Sequence, residues 1–439
     1  MLVFAGAIAA LLPAVLAQDT SPDIVFEHAT VIDGTGAPPR KDVTVVIGGG
    51  RIISIGQSAT PAPNARVIDA TGQFLIPGLW DMHFHLDSQG NALHALVNNG
   101  ITGIREMYSR IPIATLGAWR ARPENPRIAA AGFLDGPLMR TSDLTPDAFA
   151  VGNADEARLA VTLLRARGAD FLKVYNSLPR EAYFAIAQES KRLGIPFAGH
   201  VPEAVSPAEA SEAGQRSQEH LLNILLACST REEELRAQRI FTMNDPAISA
   251  VDRALELGFP NPQDLFQSYD DAKATALFKT FVKNGTWQTP TLALLQSFVA
   301  DRERARRMVY MQDLSREVFD GWMARIQALL DRYKKLVRDM HRAGVEFLAG
   351  TDTGPNNPVP VGTGLHDELA LLVESGFTPM EALQTATRNP ARYFGTLKDL
   401  GTIEAGKLAD MVLLYANPLE DIRNTRKISL VVLRGRITQ

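Results

Sequence analysis

The chain has 439 residues, with 45 Lys and Arg against 49 Asp and Glu, giving a formal net charge of −4. Apolar residues make up 46% and charged residues 21%, a mix that excludes disordered, collagen-like and disulfide-scaffold classes. The absence of a basic excess argues against nucleic acid as a partner, and the single cysteine, Cys228, has no partner for an internal disulfide.

In chain order, Leu2 to Ala17 is almost wholly apolar, and the first ionisable side chain is Asp19. The run is shorter than the roughly 20 residues a membrane helix needs. Val15 and Ala17 are small residues at −3 and −1 from Gln18, so residues 1–17 read as a signal peptide, with a buried first helix as the alternative. The signal reading implies a periplasmic or secreted protein with no stable membrane span after processing.

Ile24 to Ile32, Val43 to Ile47, Arg51 to Ile55 and Val67 to Ala70 are short and β-branched, and turns at Asp33-Gly34 and Gly48-Gly49-Gly50 separate them. Leu400 to Ile403, Met411 to Tyr415 and Leu430 to Leu433 have the same character at the other end of the chain. Residues 23–75 and 396–439 are therefore expected to build one composite β-sandwich. Between them, strand-like runs at Phe74–Leu86, Ile101–Met107, Arg127–Phe133, Phe171–Tyr175, Pro196–Val201, Ser217–Leu221, Trp287–Leu294 and Val345–Thr351 alternate with helical stretches. Ser206-Pro207-Ala208-Glu209 and Thr378-Pro379-Met380-Glu381 are helix starts that combine a cap, a first-turn proline and a closing Glu. Eight such alternations predict an α/β fold, a (β/α)8 TIM-type barrel over residues 76–395 with reactive groups at the strand C-terminal ends. No GxGxxG, P-loop or GxSxG sequence supports an open doubly wound sheet.

His83 and His85 end the first barrel strand, and residues i and i+2 of a strand point the same way, so both imidazoles can meet one metal. Lys173 lies in the fourth strand, His200 ends the fifth, His220 the sixth, and Asp352 follows the eighth. Taken singly, each has an ordinary explanation as a satisfied strand-end residue, an ion pair or a turn cap. Together they gather six metal-competent or acid–base groups at one barrel mouth. Tyr175 shares the face of Lys173 and either polarises a substrate carbonyl or packs the mouth. His366 either contacts substrate from the loop after the eighth strand or caps a helix, whereas His94 and His341 lie in helical patterns and read as structural.

Several segments resemble the metal-dependent amidohydrolase superfamily from about Ile24 to the C-terminus. They are Pro77-Gly78-Leu79-Trp80-Asp81-Met82-His83-Phe84-His85, Ala198-Gly199-His200-Val201-Pro202, Gln218-Glu219-His220 and Gly350-Thr351-Asp352, together with the tail Leu400 to Asp410. Within the superfamily the chain is similar to the imidazolonepropionase-like and prolidase-like branch, which includes Xaa-Arg/Lys dipeptidases and ochratoxin-cleaving enzymes. Gly364-Leu365-His366-Asp367-Glu368-Leu369 fits that branch too. One departure is Arg105-Glu106, where relatives are expected to carry Arg-Asp.

The resemblance implies two divalent ions, Zn2+ being the first expectation. His83, His85 and Asp352 would bind the more buried ion, and His200 and His220 the more exposed one. A carboxylated Lys173 would bridge them, and Asp352 would also shuttle the proton. The implied reaction is hydrolysis of an amide by a hydroxide shared between the ions. The expected substrate is a small molecule, a dipeptide or N-acyl amino acid, whose free carboxylate Arg105 or Arg140 could hold. Cyclic amides, lactones and phosphotriesters suit the same centre, and a non-catalytic metal-binding protein is the rival from another class. Ligand types do not separate Zn2+ from Mn2+, Co2+ or Ni2+, and a homo-oligomer stays open.

Overall fold

The computed structural model describes residues 23–438 apart from 58–63, 140–144, 250–251, 254–255, 258–261, 309–310 and 356, so the leader and Arg140 lie outside the described residues. The N-terminal strands are β1 (Ile24–Val31), β2 (Arg40–Gly48), β3 (Arg51–Gly56), β4 (Arg66–Asp69) and β5 (Phe74–Pro77). Then come β6 (Leu79–Phe84), β7 (Ile101–Glu106), β8 (Arg127–Asp135), β9 (Ala148–Ala150), β10 (Phe171–Val174), β11 (Phe197–Gly199), β12 (Ser217–Glu219) and β13 (Trp287–Thr289). The tail adds β14 (Met411–Leu414), β15 (Ile428–Leu433) and β16 (Arg436–Ile437).

Both ends of the chain meet in one sheet of order β16-β15-β14-β5-β1-β2-β3, with β4 beside β1. The junction is β5, parallel to β1 and antiparallel to β14 with Leu75 opposite Leu413. Alternate side chains explain why both faces are covered. Phe26, Val45, Leu75, Met411, Leu413 and Val432 form the sheet's own core. Their neighbours Ile76, Val412 and Val431 face the other way and join the core of the barrel. Hydrogen bonds link all eight strands through β1, whose residues 24–27 pair with β4 and residues 30–31 with β5. One expectation changes here: Leu400–Ile403 is not a strand, because Ile403 N–H donates instead to the carbonyl of Asp33 and pins a loop on that turn.

The run Phe74–Leu86 is also divided. Pro77-Gly78 ends β5, and the chain enters the barrel as β6. Seven parallel strands follow in the order β6-β7-β8-β10-β11-β12-β13, with β9 at the edge of β8. Residues 345–353 fill the eighth position with irregular pairing. On one side Gln288 N–H donates to Glu346 O and Leu348 N–H to Gln288 O, both at 2.9 Å. On the other, Met82 N–H reaches Ala349 O at 2.9 Å and Asp352 N–H reaches His83 O at 2.8 Å. Those bonds seat Asp352 against the strand that carries His83.

The helices form where their local signals place them. Ser206 and Thr378 each close a full capping box with Glu209 and Glu381. Asn153, Asp270 and Ser315 accept from first-turn amides of three further helices. The long helix Arg316–Arg342 buries Phe319, Met323, Ile326, Leu330, Tyr333, Val337 and Met340, a three-to-four-residue stripe turned into the core. Among the described residues, no helix is long and apolar enough to cross a membrane.

Candidate metal centre

The six residues expected to hold metal, His83, His85, Lys173, His200, His220 and Asp352, lie at the same end of the barrel. His83 is fully buried, with its ring 5.3 Å from that of His85 and 4.4 Å from that of His220. The His220 ring lies 4.8 Å from that of His200. One donor atom from each of His83, His220 and Asp352 falls within 4.8 Å of the other two. His220 and Asp352 both have left-handed backbones, φ 62° and 57°. This is a costly conformation for residues with a Cβ, and it concentrates at functional sites. Gly350 lets the eighth segment approach, since a Cβ there would come 2.8 Å from the His83 backbone nitrogen.

The outer nitrogen of each imidazole is already engaged. His83 Nδ1 pairs with Glu219 Oε2 at 2.8 Å, and His85 Nδ1 with the carbonyl of Tyr108. His200 Nδ1 pairs with Asn176 Oδ1 at 2.6 Å, and His220 Nδ1 with Thr291 Oγ1 at 2.8 Å. A carbonyl or carboxylate can only accept, so the bonds of His83, His85 and His200 put the proton on Nδ1 and leave Nε2 with a lone pair, whereas the Thr291 hydroxyl can donate or accept and suits either tautomer of His220. Nε2 of His83 is buried with no hydrogen-bond partner among the described residues. Asp352 Oδ1 stands 3.0 Å from His85 Nε2 and 3.5 Å from His83 Nε2. Donor atoms each about 2.0–2.1 Å from one ion, at about 90–120° to each other, stand about 2.8–3.6 Å apart. Both distances from Asp352 Oδ1 suit neighbouring ligands of one cation, and with the grouping of His83, His220 and Asp352 donors within 4.8 Å the residues present fit the metal that the donor set implies.

The electrostatics agree. Burial, followed by the neighbouring Lys173 charge, holds the His83 and His200 imidazoles well below their usual range, and burial pushes His220 down to about 4. Neutral imidazole is the ligating form. Burial would lower His85 as well, but its contact with Asp352 outweighs that and raises it. Burial alone would raise Asp352, yet His220, His85 and Lys173 together hold it low. Either a proton or a metal between Asp352 and His85 answers the same close approach.

Lys173 sits on β10, 1% exposed, and burial brings its ammonium down to about 8. No hydrogen bond or ion pair engages its nitrogen among the described residues. Gly199, with φ +132°, makes room for its stem, because a Cβ there would lie 2.9 Å from Lys173 Cδ. The ring of Tyr175 packs 4.2 Å from that of His200, so Tyr175 belongs to the site.

Two sequence expectations fail on geometry. His366 lies on the helix Thr363–Glu374, fully buried, and its Nδ1 bonds Thr425 Oγ1 at 2.9 Å. It is held by the C-terminal segment and is not brought to the histidine cluster. Arg105 does not face substrate either. It is wholly buried inside the barrel, and its N–H groups are spent on Met82 O, Ser217 Oγ, Tyr393 OH, Thr289 Oγ1 and both oxygens of Glu219. The neighbouring Glu106 closes the turn after β7, accepting from Tyr108 N–H at 3.3 Å.

Sequence reasoning assigned no role to Asp81, Asn176, Glu219 or Thr291, which orient the ligands. Asp81 accepts from the amides of His83 and Thr351 and from the Thr351 hydroxyl, tying β6 to the eighth segment, and burial raises it to about 7. Spacing offered a hint for Asp81, two residues before His83, and for Glu219, next to His220. For Asn176 and Thr291 no local signal exists.

A parallel barrel with imidazoles and a carboxylate converging at its C-terminal mouth defines a metal-competent barrel hydrolase. Residues 74–438 match the amidohydrolase family, so the chain belongs to that family and is a hydrolase of carbon–nitrogen bonds. It is 25% identical to an ochratoxinase of Aspergillus niger, over 94% of this chain and 85% of that protein. It is 27% identical to an N-acyl-D-glutamate deacylase of Alcaligenes xylosoxydans xylosoxydans, over 54% of this chain and 47% of that one. The crystal structure of a Xaa-Pro dipeptidase with bound methionine in its active site superposes with a TM-score of 0.68 at 21% identity. That match covers 94% of this chain and 99% of the other, and shows the shared fold.

Proposed function

We propose that the protein is a binuclear metal-dependent hydrolase of amide bonds, acting on a dipeptide or an N-acyl amino acid. The observation that carries this reading is the four imidazoles anchored through Nδ1, with their Nε2 atoms left for metal around Asp352 and Lys173. The similarity to a deacylase of an N-acyl amino acid and to an ochratoxinase supports the substrate class. His83, His85 and Asp352 would hold one ion, and His200 and His220 the other. The amine form of Lys173, made more accessible by the burial that lowers its ammonium to about 8, would add CO2 and release a proton, which gives a carbamate whose two oxygens suit a bridging role. When bound, the pair of ions would acidify a water and polarise the amide carbonyl.

Asp352 would handle the proton. With Oδ1 turned to His83 and His85, its other oxygen is left to take a proton from the attacking water. It would return that proton to the departing nitrogen, which leaves poorly unless protonated. Tyr175, beside His200, is the candidate to touch the scissile carbonyl. A free carboxylate next to the amide remains the expected substrate feature, but Arg105 is not the group that reads it.

The test is metal analysis of purified protein alongside a screen of dipeptides and N-acyl amino acids, each with its C-terminal amide. Two ions per chain and preferred turnover of the free acids are expected. Full activity with one tightly bound ion would refute the binuclear centre, and equal turnover of the amides would refute the carboxylate requirement.

A further inference from the structure

We infer that Glu219 is the positioning residue of the centre: it holds His83 in the tautomer that offers Nε2 to a metal, and Arg105 clamps Glu219 in place from the barrel floor. This rests on the metal-centre reading above. Glu219 and His83 are both fully buried, on strands far apart in sequence, and Oε2 meets Nδ1 at 2.8 Å. The carboxylate can only accept, so the imidazole proton goes to Nδ1. Arg105 Nη2 lies 2.8 Å from each Glu219 oxygen, and the Ser217 hydroxyl donates to Oε1. Arg105 is itself fixed by Met82 O at 2.6 Å and Tyr393 OH at 3.0 Å, and its guanidinium carbon lies 5.1 Å over the Tyr393 ring.

The arrangement removes two freedoms at once. Glu219 cannot rotate away without leaving a guanidinium and a carboxylate unpaired in the barrel interior. His83 cannot flip without setting a ring C–H against the Glu219 carboxylate, and it cannot change tautomer without setting a bare Nδ1 lone pair against that carboxylate and an N–H into the ligand space. Outer hydrogen bonds of this kind are worth about 10–100-fold in metal affinity where they have been removed from other sites.

Glu219→Gln is the informative change, because it keeps the shape and exchanges one acceptor oxygen for an N–H2 group. An N–H2 in the place of Oε2 would push the imidazole into the Nε2–H form that blocks ligation, one in the place of Oε1 would meet the Ser217 hydroxyl, and in either place it would meet Arg105 Nη2 as a second donor. The measurement uses the full-length chain stripped of metal by chelator, with 15N-labelled histidine. Nitrogen shifts report each tautomer, and chelator competition with Zn2+ reports affinity. The expectation is a pure Nδ1–H form at His83 in the metal-free wild type. Glu219→Gln should give a mixed or Nε2–H form and bind Zn2+ about 10–100-fold more weakly. A metal-free wild type with His83 protonated at Nε2 overturns the inference without need of any variant, and so does Glu219→Gln with unchanged tautomer and affinity. Failure of the metal-centre reading has a different signature: a wild type that binds no Zn2+ whatever the His83 tautomer.

Discussion

Replacing Arg105 with Met tests how the barrel floor is held together. Both Arg105 and Glu219 have 0% side-chain exposure, so solvent does little to screen the pair. Methionine restores much of the volume, which makes the cavity term small. What it removes is charge compensation for Glu219, and leaving one member of a buried pair alone costs about 3–5 kcal/mol. The Met82 carbonyl also loses its side-chain donor, worth on the order of 1 kcal/mol more. Ser217 and Tyr393 can rotate their hydroxyls and recover part. A net loss of about 5 kcal/mol is expected, a third or more of the total stability of a typical domain. The assay is urea unfolding of metal-free protein followed by tryptophan fluorescence, since Trp80 and Trp287 are both buried against the barrel. Adding Glu219→Gln to Arg105→Met removes the orphaned charge and should return about 2–3 kcal/mol. A single variant within about 1 kcal/mol of wild type, or a double variant no more stable than the single, would refute the buried-pair account.

Asp352→Asn retains a ligating oxygen and loses the base, so metal content should stay near two per chain while kcat falls roughly 10²–10⁴-fold; elemental analysis and steady-state kinetics on one preparation check both. Lys173→Ala should lose metal and activity together, with partial return when short carboxylic acids and metal are supplied, and failure of every such acid to restore metal content would count against a bridging carbamate. Glu368 is fully buried and accepts from Ala293 N–H at 2.7 Å, and burial raises it from 4.5 to about 8. Because its folded value exceeds its unfolded one, the stability it contributes is present below pH 4.5 and is lost as pH rises through about 8. Glu368→Gln should therefore flatten the stability profile of the metal-free protein across that window, by about 1 kcal/mol per pH unit. Parallel wild-type and variant profiles would show that Glu368 does not titrate there.

The His-x-His pair, the strand-end placement of Lys173, His200, His220 and Asp352, and both capping boxes were legible in the sequence because each depends on neighbours a few residues away. Strand alternation aims His83 and His85 the same way, and a cap needs only its own first turn. The resemblance then implied a shared role for those residues. What the sequence could not decide depends on contacts between distant segments. Arg105 carries the same residue signal whether it faces substrate or the barrel axis. Only the meeting of β7 with β12, 114 residues away, turned it onto Glu219. His366 was expected in the loop after the eighth strand or at a helix cap, but it lies within the helix Thr363–Glu374, and the packing of that helix on the C-terminal segment carried its ring to Thr425, 59 residues on. The left-handed turns at His220 and Asp352 and the irregular eighth strand are also tertiary outcomes. Backbone hydrogen bonds from β6 and β13 hold residues 345–353 where local preference alone would not. Side-chain direction on a strand follows from periodicity, but what waits at the end of that direction is decided by the fold.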